Sequence, residues 1–124
     1  MHTNIKATGS VMLTEEVRSF VSEKMERLEK LLDQNDTTTM AEVELGSVSN
    51  SRTGALFRCE INVTFSGKLV RAEASRETLH TAIDEAVGEA RREIRKLRTK
   101  HRDLIRRGAG KVKDFFRYFG SSSW

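Results

Sequence analysis

The sequence predicts a two-layer α+β domain of order β-α-β-β-β-α, a four-stranded sheet with two helices on one of its faces. Three observations predict it. Phe57, Cys59, Ile61, Val63 and Phe65 alternate with Arg58, Glu60, Asn62 and Thr64, the mark of a strand with one buried and one solvated face. Val17, Phe20, Val21, Leu28, Leu31 and Leu32 recur at helical spacing. So do Leu79, Ile83, Ala86, Val87, Ala90, Ile94, Leu97 and Leu104.

The elements follow in order. Asn4 to Thr8 places Ile5 and Ala7 between polar neighbours, a short strand, and Gly9 and Ser10 turn the chain. Thr14 is a good N-cap, and Glu15 and Glu16 suit the positive end of a helix. The polar run Asp33 to Thr39 ends that helix. Ala41, Val43 and Leu45 alternate with Glu42 and Glu44 in a second strand, and Ser47 to Gly54 reads as a flexible hairpin loop. After the Phe57–Phe65 strand, Ser66 and Gly67 make a tight turn into a fourth, with Val70, Ala72 and Ala74 inward. The short links between these last three strands require antiparallel pairing. Ser75 is the expected cap of the second helix, which extends to about Arg107, roughly 48 Å at 1.5 Å per residue. Gly108 and Gly110 stop it. The expected organisation is one domain over residues 1–107 and an aromatic and basic tail over 108–124.

Charge is unevenly distributed. The chain carries 22 Lys and Arg against 18 Asp and Glu, a net +4. From Arg91 to Arg107, nine of seventeen residues are Lys or Arg and two are acidic, a net +7. The rest holds 13 basic and 16 acidic side chains, a net −3. A mildly acidic body with one basic rod points to a polyanion met by one surface. A merely solvated face is the plain alternative, but like charges at i,i+4 repel, and a run this one-sided costs helix stability unless something uses it.

Several classes are not expected. No apolar run approaches the roughly 18 residues that span a membrane, and MHTNIKATGS lacks the pattern of a signal peptide. Cys59 is the only cysteine, which suits a reducing cytoplasm, and its place in the alternation makes it a core residue. His2, His80 and His101 show no metal-ligand spacing, and no Gly-rich phosphate loop occurs. Glu15–Glu16 and Asp84–Glu85 are adjacent on helices and point apart. No catalytic constellation, metal, cofactor or small-molecule substrate is expected.

The basic stripe is the specific signal. Arg92, Lys96 and Lys100 are spaced i, i+4, i+8 and share a face, which Arg95, Arg98, Arg102 and Arg106 widen. Such a ladder suits consecutive phosphates and binds with a salt-dependent affinity through counterion release. Arginine also forks to a phosphate with two hydrogen bonds. The strands carry no exposed aromatic pair for base stacking, so a partner is read by shape more than by sequence.

On these residues the chain resembles the ribosome hibernation promoting factor and protein Y family, short form. The resemblance lies in NIKATGSVMLTEEVRSFVSEKMERLEKLL and VRAEASRETLHTAIDEAVGEARREIRKLRTK, and covers roughly residues 4 to 105. It implies a fold shared with double-stranded-RNA-binding domains. It implies a partner, the small ribosomal subunit with its rRNA and ribosomal proteins, bound in the channel between head and body. There it overlaps the mRNA path and the aminoacyl and peptidyl tRNA sites, so translation is inhibited in starvation or stationary phase. The family's rRNA contacts fall here on Lys24, Arg27 and Lys30 of the first helix and on Arg92, Lys96 and Lys100 of the second. Arg95, Arg98 and Arg102 join them from the stripe. His80 stands where the family commonly has Tyr and is expected half-buried, and Glu93 replaces a common Gln. The tail GKVKDFFRYFGSSSW stands where the long form carries a dimerisation domain, so self-association stays open. A module for another structured RNA and a protein adaptor with a basic helix are the alternatives to a ribosome-inactivating factor.

The tail concentrates Phe115, Phe116, Tyr118, Phe119 and Trp124, five of the chain's eight aromatics. Exposed, such a cluster is a binding site or an aggregation hazard. Phe115, Phe116, Arg117, Tyr118 and Phe119 are expected to make a second contact, either with the partner or with the chain's own domain.

Overall fold

In a computed structural model the structure describes residues 1–50 and 54–107, with side chains placed as far as residue 99, those of 49, 50 and 55 excepted. The order is β1 (His2–Ala7), α1 (Glu15–Glu29), β2 (Met40–Asn50), β3 (Gly54–Phe65), β4 (Lys68–Arg76) and α2 (Leu79–Arg107). One sheet runs β1-β2-β3-β4. β2, β3 and β4 pair antiparallel, as their short links require. β1 pairs parallel with β2, Ile5 opposite Val43, because α1 carries the chain back across the sheet between them.

The core is the inner face of this sheet under the two helices. Ala41, Val43 and Leu45 of β2, Cys59, Ile61 and Val63 of β3, and Val70 and Ala72 of β4 are buried. Val21, Met25 and Leu28 of α1, and Ala82, Ile83, Ala86, Val87, Ala90 and Ile94 of α2, join them in one cluster. Small alanines on α2 let the helix lie close to β3 and β4. Burial pushes the Cys59 thiol up to about 12, so it is a packed apolar group and not a nucleophile at neutral pH. On the solvated face, Arg58 binds Glu60 at 2.6 Å and Glu73 at 2.5 Å, and Arg71 Nε donates to Asn62 at 2.9 Å.

The caps decide where the helices start. Thr14 Oγ1 accepts from the Val17 amide at 3.2 Å, as expected. α2 differs: Thr78 Oγ1 accepts from the Thr81 amide at 3.2 Å, while Ser75 stays in β4 opposite Arg58. β4 continues through Arg76, so the cap falls three residues later than the sequence pattern placed it. Three other boundaries move. α1 ends at Glu29 with Lys30 as its C-cap, so Leu31 and Leu32 lie past the helix whose stripe they were expected to complete. β1 begins at His2, earlier than Asn4. The segment expected as a loop over Ser47–Gly54 is mostly strand, with Val48 opposite Leu56 and Asn50 opposite Gly54. A ladder anchored by the strongly patterned centre propagates outward through residues whose own β preference is low. Gly54 takes φ +80°, which a side chain would resist. At the expected tight turn, Ser66 (φ 51°) and Gly67 (φ 73°) both lie in the left-handed region, the geometry that matches strand twist in a two-residue hairpin.

Candidate nucleic-acid interface

The basic residues sit on the helical layer, away from the sheet's charged outer face. α1 and α2 lie side by side and run in the same direction. Phe20 meets His80 with ring centroids 4.3 Å apart, and one turn later Lys24 Nζ meets Asp84 Oδ1 at 3.0 Å. Lys24 Nζ also lies 5.3 Å from the Phe20 ring centroid. His80 is exposed rather than half-buried, because it tops this helix–helix seam edge-on to Phe20 instead of entering the core.

This seam divides the basic ladder of α2 into two flanks. At 100° per residue, positions 80, 84, 88, 91, 95 and 98 form the flank toward α1. It carries Arg91, Arg95 and Arg98, and its one carboxylate, Asp84, is engaged by Lys24. Arg27 lies on the flank of α1 that faces α2, three residues after Lys24, and is exposed. The opposite flank, toward β4, carries Arg92 and Lys96 on the same stripe as Glu85 and Glu89. There Arg76 pairs with Glu85, Lys96 Nζ lies 3.3 Å from Glu93 Oε1, and a shallow groove, which Asp84 and Gly88 also border, brings Glu73, Glu85, Glu89 and Arg92 together. On this side Arg76 and Lys96 are ion-paired and Arg92 lies among carboxylates, whereas among the described residues Arg27, Arg91, Arg95 and Arg98 form no ion pair.

Each expected residue can now be placed. Arg27, Lys30, Arg92, Arg95, Lys96 and Arg98 are exposed. Lys24 is not a free surface cation: its side chain is 14% exposed and fixed between Asp84 and Phe20. Lys100 and Arg102 lie in α2, and their side chains fall outside the described residues, as do Phe115, Phe116, Arg117, Tyr118 and Phe119 of the tail. Arg91 is a further member. It is half-buried, and its Nε has no hydrogen-bond partner among the described residues. The i, i+4, i+7 spacing of Arg91, Arg95 and Arg98 was visible in the sequence; which flank faced α1 was not.

Chemically, the groove is a row of guanidinium groups in fixed phase along a rigid helix. Such a row suits the spaced, doubly hydrogen-bonding oxygens of a phosphate backbone. Among the described residues no group of three or more His, Cys, Asp or Glu could hold a metal ion. No described helix is long and apolar enough to cross a membrane.

Fold and surface together define a small α+β domain with a basic helical face. The chain belongs to the sigma 54 modulation protein / S30EA ribosomal protein family, whose model matches residues 5–102. It is 31% identical over 96 residues to the ribosome hibernation promotion factor of Deinococcus radiodurans, covering 74% of this chain and 47% of that protein. It is 26% identical over 93 residues to the factor of the same name from a Picosynechococcus species, covering 75% and 47%. The chain thus spans about half the length of the curated relatives it matches. Among solved structures it is similar to the N-terminal domain of Thermus thermophilus Protein Y, with a TM-score of 0.64, 28% identity, and coverage of 78% of this chain and 99% of that one. A ribosomal subunit interface protein from Coxiella burnetii has a TM-score of 0.62 at 14% identity, covering 80% and 99%, a likeness of fold alone. The family resemblance read from the sequence and the α+β class are both borne out.

Proposed function

We propose that this chain is a ribosome-binding, non-catalytic hibernation factor that acts in the cytoplasm. Its basic helical face docks on the rRNA of the small subunit in the decoding channel. Occupying that channel excludes mRNA and tRNA and inhibits translation under stress or in stationary phase. Residues 1–107 are the binding domain. Arg27, Lys30, Arg91, Arg92, Arg95, Lys96, Arg98, Lys100 and Arg102 face phosphates, and Lys24 holds the two helices in register beneath them.

The observation that carries this reading is family membership over residues 5–102, shared with relatives named for ribosome hibernation. The uncompensated arginine groove supports it independently, since an acidic protein partner does not call for guanidinium groups in phosphate-like sequence along one helix. The test is cosedimentation with purified small subunits across a salt series, paired with translation in vitro. Salt-sensitive binding and a block at initiation that excess mRNA and tRNA relieve are expected. Undiminished translation at saturating protein overturns the proposal. Equal affinity for isolated duplex RNA would point instead to a general structured-RNA module.

A further inference from the structure

The sheet has two edge strands, β1 with six residues and β4 with nine. An open edge presents a row of unpaired N–H and C=O groups, a template for a further strand. Natural edges are blunted by proline, by bulges or by charges that repel a second strand. The chain has no proline, and the ladder of β4 with β3 runs unbroken from Lys68 to Arg76. No described strand pairs with the outer side of β4.

The charges on this edge are ordered to attract a copy of itself. Arg71 and Glu73 flank Ala72, are exposed, and lie on the outer face, while Val70 and Ala72 are buried on the inner one. Two antiparallel copies of β4 related by a twofold axis at Ala72 set Arg71 of each against Glu73 of the other, and Val70 against Ala74. Opposite charges facing each other across two strands stabilise the pair, and like charges destabilise it. Both side chains keep an end to spare. Arg71 gives Nε to Asn62 Oδ1, and its terminal nitrogens form no hydrogen bond among the described residues. Glu73 accepts from Arg58 through Oε2 alone. The match ends where Lys68 meets Arg76 of the second copy, so the ladder covers residues 69–75.

α2 obeys the same symmetry. It turns back along β4 after two residues, and Glu73 and Ala74 border one groove with Glu85, Glu89 and Arg92. The middle of β4 thus lies beside the middle of this helical stripe, which is acidic at Glu85 and Glu89 and basic at Arg92 and Lys96. A twofold axis through Ala72 reverses the stripe, so the acidic half of one α2 faces the basic half of the other.

We propose that the chain self-associates through the outer edge of β4, two copies pairing antiparallel about Ala72 so that their sheets become one. A second copy is the occupant because the charge order is complementary to itself: a basic strand would face Arg71, and an acidic one Glu73. One strand pair and one helix flank make a small interface, so the association is weak and concentration-dependent. It leaves Arg91, Arg95 and Arg98 on the far flank uncovered and does not rest on the proposed function.

The experiment uses the whole chain without ribosomes. In sedimentation equilibrium the mass should rise from that of one chain toward that of two as concentration increases. Arg71→Glu alone and Glu73→Arg alone each set like charges against each other, and each should stay monomeric. An equimolar mixture of the two variants should dimerise again, because their charges complement one another, and the R71E/E73R double variant should behave like the parent. A measurement that needs no variant accompanies these: amide hydrogen exchange in β4 should slow as the parent is concentrated, and that in β1 should not. A parent that stays a single chain up to millimolar concentration overturns the proposal. So do single variants that dimerise as the parent does, a mixture that stays monomeric, or slowing in β1 in place of β4.

Discussion

The two flanks of α2 have similar composition and different surroundings. Toward α1, Arg91, Arg95 and Arg98 follow one carboxylate, and that carboxylate is engaged by Lys24 at 3.0 Å. Toward β4, Arg92 and Lys96 share their stripe with Glu85 and Glu89, and Arg76 and Lys96 already hold acidic partners. Formal charge per turn does not measure readiness for a polyanion. A cation with a close acidic neighbour must release it before meeting a phosphate, and the release offsets part of the gain. On the proposed function, the difference ranks the groove above the outer flank for phosphate contact, although the sequence spacing singled out Arg92, Lys96 and Lys100.

The most direct way to break this ranking is to remove each flank in turn. Replacing Arg91, Arg95 and Arg98 by Ala should lower small-subunit affinity by on the order of 10³-fold, taking about 1.5 kcal/mol per charged contact. Its salt slope should fall by roughly three units. The Arg92→Ala, Lys96→Ala double variant should lose about tenfold or less, with a slope change of one unit or less. Equal losses per residue on the two flanks would erase the distinction.

The buried face of the same helix gives the next effect. Ile94→Ala should cost about 2–5 kcal/mol of folding stability in denaturant titration, since Ile94 is fully buried. The groove variant should lose much less, about 1 kcal/mol or under, since Arg95 and Arg98 are exposed and only Arg91 is half-buried. A groove variant as unstable as Ile94→Ala would mean that its binding loss reports misfolding.

A smaller effect tests what fixes the phase of α2. Thr78→Ala should cost about 1 kcal/mol, and Ser75→Ala close to nothing, because Thr78 holds the cap. The reverse order would move the start of the helix back to where the sequence pattern placed it.

The smallest effect sharpens the comparison from within the groove. Asp84→Asn removes its one carboxylate and frees Lys24. Stability should fall by less than about 1 kcal/mol, since Asp84 is 54% exposed. Affinity for the small subunit should rise a few-fold, with a steeper salt slope. Weaker binding would show that Lys24 serves by holding the helices in register more than by its charge.

Much of this protein was legible without a structure. Period-2 spacing identified Ile61 and Val63 as inward residues, and 3.6-residue spacing identified Val21, Leu28, Ile83 and Ile94. Thr14 and the Ser66–Gly67 turn were readable because cap and hairpin chemistry is local. The family was readable because its motifs follow those same elements in order. What escaped was everything set by contact between distant segments. Ser47–Asn50 became strand because the partner strand, not its own residues, extends the ladder. Thr78 replaced Ser75 because pairing with β3 holds β4 extended through Arg76. Met25 belongs to the core although no expected stripe included it. The sequence by itself determined which residues of α2 are polar and how they are spaced around its axis. Only the tertiary structure decided which of those stripes faces α1 and which faces β4, because an amphipathic helix specifies its buried side and not the neighbours on either flank. The packing of α1 against α2, through Phe20–His80 and Lys24–Asp84, settles that choice and with it the placement of the arginines in the groove.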